Sequence, residues 1–305
     1  MFFRKKTITV ELVGGIGNQL FGYFAGVYLA SNFERDLVLD FRNSVDSHTQ
    51  LKVDINSLAL AYPHMTILGK SSPLRIFRRR VSDKIRYESA FLGRIISRMS
   101  QEYLDEMTEG GMNLSILGNL RNRGHVRIRG YFNSFEYFYK LPDSYKIVSI
   151  SNGSEHFHKL CDELGRSDAV AMHIRRGDYV GNSETYGLLS KDYYLEALKL
   201  MKEMKPSAPV WVFSDDHEEA VKISREIPGI EFRFLTIDEL ENPIEALILM
   251  SKAKGHVIAN STFSQWAAIL GNSPIVICPK DYFADGRINR EYPPKNWIQI
   301  ESQWE

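Results

Sequence analysis

The second half of the chain alternates short apolar runs with amphipathic segments, and this order limits its fold more than any other feature. Apolar runs typical of strands occupy residues 169–174, 210–214, 231–235, 256–259 and 274–277. Segments with helical periodicity lie between them, at 192–202, 216–226, 243–253 and 264–270. Strands that alternate with helices build a parallel sheet covered by helices. The pattern therefore predicts a doubly wound α/β domain whose ligands bind beyond the carboxyl ends of the strands.

The first half begins with a similar unit. Residues 7–13 predict a strand that breaks at the glycines of GGIG (14–17) and is followed by a helix. Further strands are predicted at 36–40 and 125–130, and polar, turn-rich composition between Pro142 and Ser167 indicates a domain boundary. We therefore predict two Rossmann-like domains, residues 1–150 and 151–305, that face each other across a cleft.

The overall charge argues against two classes of partner. The 38 basic and 38 acidic residues balance, so no net field attracts nucleic acid or an anionic membrane. No apolar stretch approaches the ~20 residues of a membrane span, and no signal peptide is recognisable. The two cysteines, Cys161 and Cys278, lie in apolar contexts that predict buried thiols in a reducing compartment. We expect a cytoplasmic protein, and peripheral contact with the inner face of the membrane stays open.

The sequence VAMHIRRGDY at residues 170–179 carries the strongest functional pattern. A strand that ends in Arg175 and Arg176 suits an anion, because each guanidinium offers forked donors that match phosphate oxygens. Side chains alternate along a strand, so one arginine can face a ligand while the other binds Asp178 or a neighbouring loop. The alternative is an exposed ion pair of Arg176 with Asp178. His173 is favoured as a core histidine over a catalytic one.

Three other segments place polar groups at strand ends. The glycines of GGIGNQ (14–19) form either a tight turn or an approach for phosphate to a helix N-terminus, and they lack the third glycine of a dinucleotide fingerprint. In FSDD (213–216) one aspartate is expected to cap the next helix and the other to contact a nucleotide. NSTFS (260–264) suits an anion site or a helix cap. The run RIFRRR (75–80) is interpreted as a solvated helix face, with attraction to anionic lipid or acceptor as the lesser alternative.

These segments occur together and in order, and the combination resembles the α-1,2-fucosyltransferase family. The shared motifs are GGIGNQLF (14–21), GYFNS (130–134), HIRRGDY (173–179), FSDD and NSTFS, so the resemblance covers nearly the whole chain. The arginine motif is also similar to that of α-1,6- and protein O-fucosyltransferases. It therefore indicates the donor, GDP-fucose, more firmly than the linkage.

The resemblance implies a GT-B-type α/β fold and a metal-independent, inverting transfer. L-fucose would move from GDP-β-L-fucose to the 2-hydroxyl of a galactoside during surface glycan biosynthesis. The donor would bind mainly on the second domain, residues 151–305, and the acceptor, a galactose-containing oligosaccharide or glycolipid, on the side of residues 1–150. The region 43–125 carries none of the shared motifs, so we expect acceptor choice to reside there. The alternatives are a non-catalytic nucleotide- or glycan-binding protein, a fucosyltransferase of another linkage and, from the glycine turn alone, a nicotinamide-dependent oxidoreductase.

The resemblance also implies roles for particular residues. Arg175 is the first choice for the pyrophosphate and Arg176 the second, with Asp178 as their structural partner and His173 as a candidate base. The implied donor-binding residues are Gly15, Gly17, Asn18, Gln19, Asp215, Asp216, Asn260, Ser261, Thr262, Phe263 and Ser264. No metal ligand and no cofactor are expected. The chain departs from the family pattern at Gln265, where many members carry an aromatic residue.

Overall fold

The structure is a computed structural model that describes residues 6–41, 58–68, 102–106, 124–150, 152–205, 207–235, 242–287 and 292–305. The basic run 75–80 and most of the region 43–125, predicted to select the acceptor, lie outside the described residues. Contacts divide the chain into two compact units, Met1–Lys52 with Ala61–Lys146 and Val53–Leu60 with Ile147–Glu305. In the described part of the chain, no helix combines the length and the apolar character that crossing a membrane requires.

Strands and helices alternate along the described residues. The strands are β1 (Thr7–Glu11), β2 (Asp36–Asp40), β3 (Leu58–Leu60), β4 (Met65–Leu68), β5 (Glu102–Glu106), β6 (Val126–Gly130), β7 (Val148–Ile150), β8 (Val170–Ile174), β9 (Val210–Ser214), β10 (Phe232–Phe234), β11 (Gly255–Val257), β12 (Val276–Pro279) and β13 (Ile298–Ile300). The α-helices are α1 (Ile16–Asn32), α2 (Glu136–Tyr139), α3 (Glu155–Arg166), α4 (Gly177–Val180), α5 (Ser183–Tyr186), α6 (Lys191–Met204), α7 (His217–Arg225), α8 (Pro243–Met250) and α9 (Thr262–Leu270), and a 3-10 turn covers Asp143–Tyr145.

The first unit is built on a parallel sheet in the order β4-β2-β1-β6-β5. Its central strand β1 is buried from Ile8 to Glu11, and helix α1 lies against it. Two glycines of α1 set this distance. A Cβ at Gly22 would lie 2.9 Å from Leu12, and one at Gly26 would lie 2.5 Å from Val10. Glycine at these two positions therefore lets the helix backbone approach the sheet more closely than any larger residue would allow.

The second unit contains a parallel sheet in the order β10-β9-β8-β11-β12-β13. Its central strand β8 is buried at every position, as expected for a strand that helices cover on both faces. Buried residues of β8, β9, β11, β12, α6 and α7 form one core cluster. A separate antiparallel pair joins β3 to β7. The predicted α/β fold class is confirmed, while the boundary after residue 150 and the cleft between domains stay predictions.

The polar segment interpreted as a domain boundary contains helix α3, which the sequence analysis missed. Phe157, Leu160 and Leu164 are its buried residues and recur at helical spacing. Ser154 caps the helix, since its hydroxyl accepts a hydrogen bond of 3.1 Å from the Phe157 amide. The other positions of α3 are mostly polar, so the average composition of this segment indicated a loop and did not reveal the narrow apolar stripe.

The two cysteines differ in burial. Cys278 is buried in β12, whereas Cys161 is only half-buried on α3, so the prediction of a buried thiol there was wrong. Burial raises the pKa of Cys278 to about 12 and that of Cys161 to about 11. Both thiols are free and stay protonated near neutral pH.

Substitution of Gly26 by alanine should destabilise the first unit. The new methyl group would lie 2.5 Å from Val10 Cγ2 and 2.8 Å from Leu37 Cδ1, and overpacking of this kind costs about 1–3 kcal/mol. Gly165→Ala is the control, because its methyl group meets no atom within 4 Å and alanine favours the helix by roughly 0.5–1 kcal/mol. Urea unfolding measures both free energies. Equal stability of Gly26→Ala and wild type would contradict the packing argument.

Candidate functional site

The second sheet reverses its direction of growth between β8 and β11, and polar motifs gather there. The chain adds β9 and β10 on one side of β8, and then β11, β12 and β13 on the other. Such a switch point opens a crevice beyond the carboxyl ends of the strands. HIRRGDY leaves β8, FSDD leaves β9 and NSTFS follows β11. The topology therefore brings three predicted motifs to one edge of the sheet.

Arg175 is fixed at this edge by three neighbours. Its Nη1 lies 2.8 Å from Asp215 Oδ2, its Nη2 donates to Asp178, and its guanidinium carbon lies 5.2 Å from the centre of the Tyr179 ring. The side chain is still 22% exposed, and its Nε is buried with no hydrogen-bond partner. Burial opposes the charge, but the two carboxylates outweigh it and raise the pKa of Arg175. The arginine is therefore a fixed cation that retains an unused donor.

Asp215 braces the turn that carries both arginines. Its Oδ1 accepts a hydrogen bond of 2.8 Å from the Arg176 amide, while its Oδ2 faces Arg175. Gly177 has a φ of +25°, and a Cβ there would collide with the Asp215 carboxylate. Only glycine fits this position, because the backbone both turns and approaches a carboxylate closely.

The two aspartates of FSDD have different partners. Asp216 caps α7, since its Oδ1 accepts a hydrogen bond of 3.0 Å from the Glu219 amide. One aspartate was predicted to cap this helix and the other to contact a nucleotide. The structure gives the cap to Asp216 and ties Asp215 to the arginine turn, so the nucleotide role of either stays a prediction.

Arg176 points away from Arg175 and into the protein. Its side chain is 2% exposed, and its Nη2 lies 2.5 Å from Glu305 Oε1 and 3.0 Å from the Leu189 carbonyl oxygen. The alternative of an exposed pair with Asp178 is wrong, because Asp178 pairs with Arg175. Strand alternation thus separates the two guanidiniums, one partly exposed and one buried.

His173 lies beneath Phe263, with ring centres 5.3 Å apart. The imidazole is 3% exposed, and its Nδ1 is buried with no hydrogen-bond partner. Burial, and after it the charge of Arg175, lowers the pKa of His173 to about 3. The ring is therefore neutral near pH 7 and a weak base. Its contact with Phe263 links the strand of the arginine motif to the start of α9.

The motif NSTFS forms the start of helix α9, two residues earlier than predicted. Ser261 is the N-cap and accepts a hydrogen bond of 3.4 Å from the Phe263 amide, while buried Ser264 donates to the carbonyl oxygen of Ala259. Thr262 and Phe263 are only half-buried. A helix N-terminus favours negative charge, and these two residues are the accessible ones of its first turn.

Asn260 and Tyr179 connect the site internally. The Asn260 side chain donates to the carbonyl oxygens of Tyr186, at 2.6 Å, and Tyr282, at 3.0 Å. Its own carbonyl oxygen accepts a hydrogen bond of 3.0 Å from Tyr179. Asn260 therefore holds these loops together.

Tyr179 is a site residue that the sequence did not predict. The position of Tyr179 in HIRRGDY was the available indication, but no local pattern indicated its contacts with both Arg175 and Asn260.

Gln265 is buried in α9 with 2% exposure, although its side chain is polar. Its Nε2 has no hydrogen-bond partner. The departure from the family pattern therefore places a carboxamide inside the protein beside the motif NSTFS.

The glycine motif of the first unit combines a tight turn with an open helix start. Gly14 has a φ of +68°, and the buried side chain of Gln19 donates to its carbonyl oxygen at 2.9 Å. Helix α1 begins without a side-chain cap at Gly15, where a Cβ would meet nothing within 4 Å. Gly17 is buried, whereas Asn18 is half-buried. The structure thus assigns Gln19 to the turn and leaves the face at Gly15 open.

The arginine turn contains more carboxylates than guanidiniums. Arg175 and Arg176 are paired with three carboxylates, those of Asp178, Asp215 and Glu305. Within the described ranges, no three His, Cys, Asp or Glu side chains are grouped so that they could hold a metal ion. Metal independence stays a prediction.

Comparison with known proteins identifies the family. The model of glycosyl transferase family 11 matches residues 73–301, so the chain belongs to this family. An α-1,2-colitosyltransferase of Escherichia coli is 29% identical over 96% of this chain and 99% of its own length. The O-antigen biosynthesis glycosyltransferase WbnK of Escherichia coli is 28% identical over 95% of this chain and 99% of its own length.

Solved structures support the fold. The NodZ α-1,6-fucosyltransferase co-crystallised with GDP superposes with a TM-score of 0.51 at 12% identity, covering 90% of this chain and 94% of its own. A NodZ structure from Bradyrhizobium gives a TM-score of 0.52 at 13% identity, covering 90% of this chain and 95% of its own. The predicted GT-B-type α/β fold is confirmed by this likeness.

The imidazole of His173 should stay neutral across the neutral pH range. Its pKa of about 3 predicts no change in its ring-proton NMR shifts between pH 5 and 8, with the signal assigned by its loss in His173→Gln. In the unfolded chain His173 takes up a proton as the pH falls below about 6.5, whereas in the native protein it stays neutral down to about pH 3. The contribution of His173 to the free energy of unfolding is therefore full above pH 6.5 and decreases as the pH falls toward 3. A titration midpoint near 6.5 would contradict the burial argument.

Proposed function

We propose that this family 11 glycosyltransferase moves L-fucose from GDP-β-L-fucose to the 2-hydroxyl of a galactoside, with inversion and without a metal ion. The observation that carries the proposal is Arg175, a partly exposed guanidinium fixed at the switch point with its Nε unpartnered. A rigid cation at this place suits a diphosphate. The named relatives favour the same chemistry, since one is an α-1,2-colitosyltransferase.

The reaction makes one bond and breaks one bond at the anomeric carbon. The bond from C1 to the β-phosphate oxygen breaks, and GDP leaves with the electron pair. The acceptor oxygen forms the new bond to C1 from the opposite face, and its proton passes to solvent or to a base. Negative charge grows on the departing phosphate, where a fixed guanidinium stabilises the transition state more than the ground state. Arg175 supplies this stabilisation in the proposal.

A base of normal strength is not required if the C1–O bond is largely broken before the acceptor attacks. The acceptor hydroxyl then meets an oxocarbenium-like carbon and loses its proton late. His173 is a weak base in this site, because burial lowers its pKa to about 3. We therefore propose that His173 packs against Phe263 as a structural residue, and that another group or water accepts the proton.

The remaining donor contacts divide by accessibility. We propose that Thr262 and Phe263, at the N-terminus of α9, face the donor phosphates. Gly15 and Asn18 are the accessible residues of the glycine motif and keep their proposed role in donor binding. Asp216 keeps the nucleoside role beside its cap. Asp215, Asn260, Ser261 and Ser264 shape the backbone around the donor, while Gly17 and Gln19 shape the glycine turn of the first unit. This division follows from burial, because the second group is buried or bound by the protein itself.

Colitosyl transfer is the second candidate function. It is favoured by the relative named α-1,2-colitosyltransferase, which matches 96% of this chain. Colitose lacks one hydroxyl group of fucose, so the two donors differ by a single hydrogen-bonding position. The relative named for O-antigen biosynthesis favours a surface glycan precursor as acceptor. We propose a galactose-containing oligosaccharide or glycolipid, met at the cytoplasmic face of the membrane.

Transfer should be observed with purified protein, GDP-fucose or GDP-colitose, and a panel of β-galactosides. We expect release of GDP and an α-1,2-linked product with fucose, and unchanged turnover when a chelator is present. NMR of the product determines linkage and anomeric configuration. Faster turnover with GDP-colitose would assign the second candidate. GDP binding without transfer to any acceptor would favour a non-catalytic protein and refute the proposal.

Arg175→Lys should lower kcat/KM by about 100- to 1000-fold, the usual cost of removing one donor to a developing anion. Lysine keeps the charge but cannot hold Asp178, Asp215 and a phosphate at once, because it lacks the planar fork. Arg166→Lys is the matched control, since Arg166 pairs with Asp162 on the exposed face of α3. Steady-state kinetics compare the two variants. Wild-type rates in Arg175→Lys would remove Arg175 from the mechanism.

A further inference from the structure

We propose that Glu305 is a positioning residue, which acts through Arg176 to hold the arginine turn in the shape that presents Arg175. The inference deepens the proposed function and rests on it for its kinetic consequence. It starts from an ion pair that joins the last described segment of the chain to the turn after β8. Glu305 Oε1 lies 2.5 Å from Arg176 Nη2.

Arg176 depends on this pair because its guanidinium is buried. Its side chain is 2% exposed, and Nη2 also donates to the Leu189 carbonyl oxygen at 3.0 Å. Nε and Nη1 are buried and have no hydrogen-bond partner. Among the described residues, Glu305 is the carboxylate that pairs with it. Removing Glu305, the more exposed partner, is costly because the buried guanidinium of Arg176 then stays unpaired in a poorly solvating environment.

The segment that carries Glu305 is tied down independently of this ion pair. The Glu305 amide donates to the Leu188 carbonyl oxygen at 2.8 Å, and the Ser190 amide donates to that of Gln303 at 2.7 Å. Trp304 lies against Gly187, where a Cβ would come within 2.5 Å of the indole. These contacts fix the backbone beside Leu189. Truncating the Glu305 side chain therefore leaves the segment in place.

Arg176 transmits the contact to the site through its backbone. Its amide is bound by Asp215 at 2.8 Å, and the other oxygen of Asp215 lies 2.8 Å from Arg175. The side chain of Arg176 is anchored on one side of the turn and its amide on the other. If the side chain is released, the turn gains freedom at the residue between Arg175 and Gly177. A shift of about 1 Å in a catalytic group is enough to reduce rates on the order of 100-fold.

Glu305 is well suited to a test because its own side chain is 43% exposed. Its removal leaves no core cavity, so a large kinetic effect must come through Arg176. A purely structural role predicts a lower melting temperature with unchanged kcat per folded molecule. A positioning role predicts a lower kcat with the acceptor KM nearly unchanged.

The experiment compares Glu305→Ala, Glu305→Gln and Glu301→Ala. We expect Glu305→Ala to lower kcat by about 10- to 100-fold, and Glu305→Gln to recover part of it because an amide oxygen still accepts from Arg176. Glu301→Ala is the matched control, since Glu301 lies on the same C-terminal segment as Glu305 but pairs with the exposed side chain of Lys280. Rates are normalised to the GDP-binding fraction measured by calorimetry. Equal kcat in Glu305→Ala and Glu301→Ala would overturn the inference.

Hydrogen exchange provides a readout that does not need transfer. We expect faster exchange in the peptide 175–181 in Glu305→Ala and not in Glu301→Ala. The Arg176 amide donates to Asp215 and the Tyr179 amide to the Arg176 carbonyl oxygen, so both hydrogen bonds depend on the position of Arg176. An inactive wild type with this exchange difference would refute the proposed function and keep the structural link. An active wild type without the difference would refute the link and keep the proposed function.

Discussion

The carboxylate of Asp215 is the interaction on which the rest of the site depends. Parallel pairing of β8 with β9 sets His173 opposite Phe213 and Ile174 opposite Ser214. The next residue of each strand is therefore Arg175 on one and Asp215 on the other. One oxygen of Asp215 binds the guanidinium of Arg175, and the other binds the amide of Arg176. The strand register thus determines which side chains meet at this edge of the sheet. Gly177 is required because the Asp215 carboxylate occupies the space that a Cβ would need.

The two guanidiniums of the arginine turn are held in place by three carboxylates. Two guanidiniums would repel each other if left alone, and carboxylates on both sides allow them to be adjacent. The carboxylates also fix the donors before a ligand arrives, so binding costs less side-chain entropy. The Arg175 side chain is partly exposed and its Nε has no hydrogen-bond partner, whereas the Arg176 side chain is buried and anchors the turn. Adjacent residues of the same type therefore have separate roles, which strand alternation dictates.

Much of this arrangement was predictable, and the limits have physical causes. Short apolar runs that alternate with helical segments predicted the parallel sheets. The FSDD motif predicted a cap at one of its two aspartates and NSTFS suited a cap, and the structure places these caps at Asp216 and Ser261. Helix α3 was missed because its apolar stripe is narrow. The pairing of Arg176 with Glu305 was beyond sequence reasoning, since a contact between residues so far apart in the chain leaves no local pattern. Periodicity predicts elements, whereas long-range partners depend on tertiary packing.

The burial of motif residues has a consequence for sugar selection. Asn260, Ser264 and Gln19 use their polar groups to bind backbone carbonyl oxygens. Discrimination between sugars that differ by one hydroxyl needs a site group that is left unpaired with the wrong sugar. Polar groups already satisfied by the backbone cannot provide it. In the proposed reaction, donor-sugar choice therefore falls to residues other than Asn260, Ser264 and Gln19.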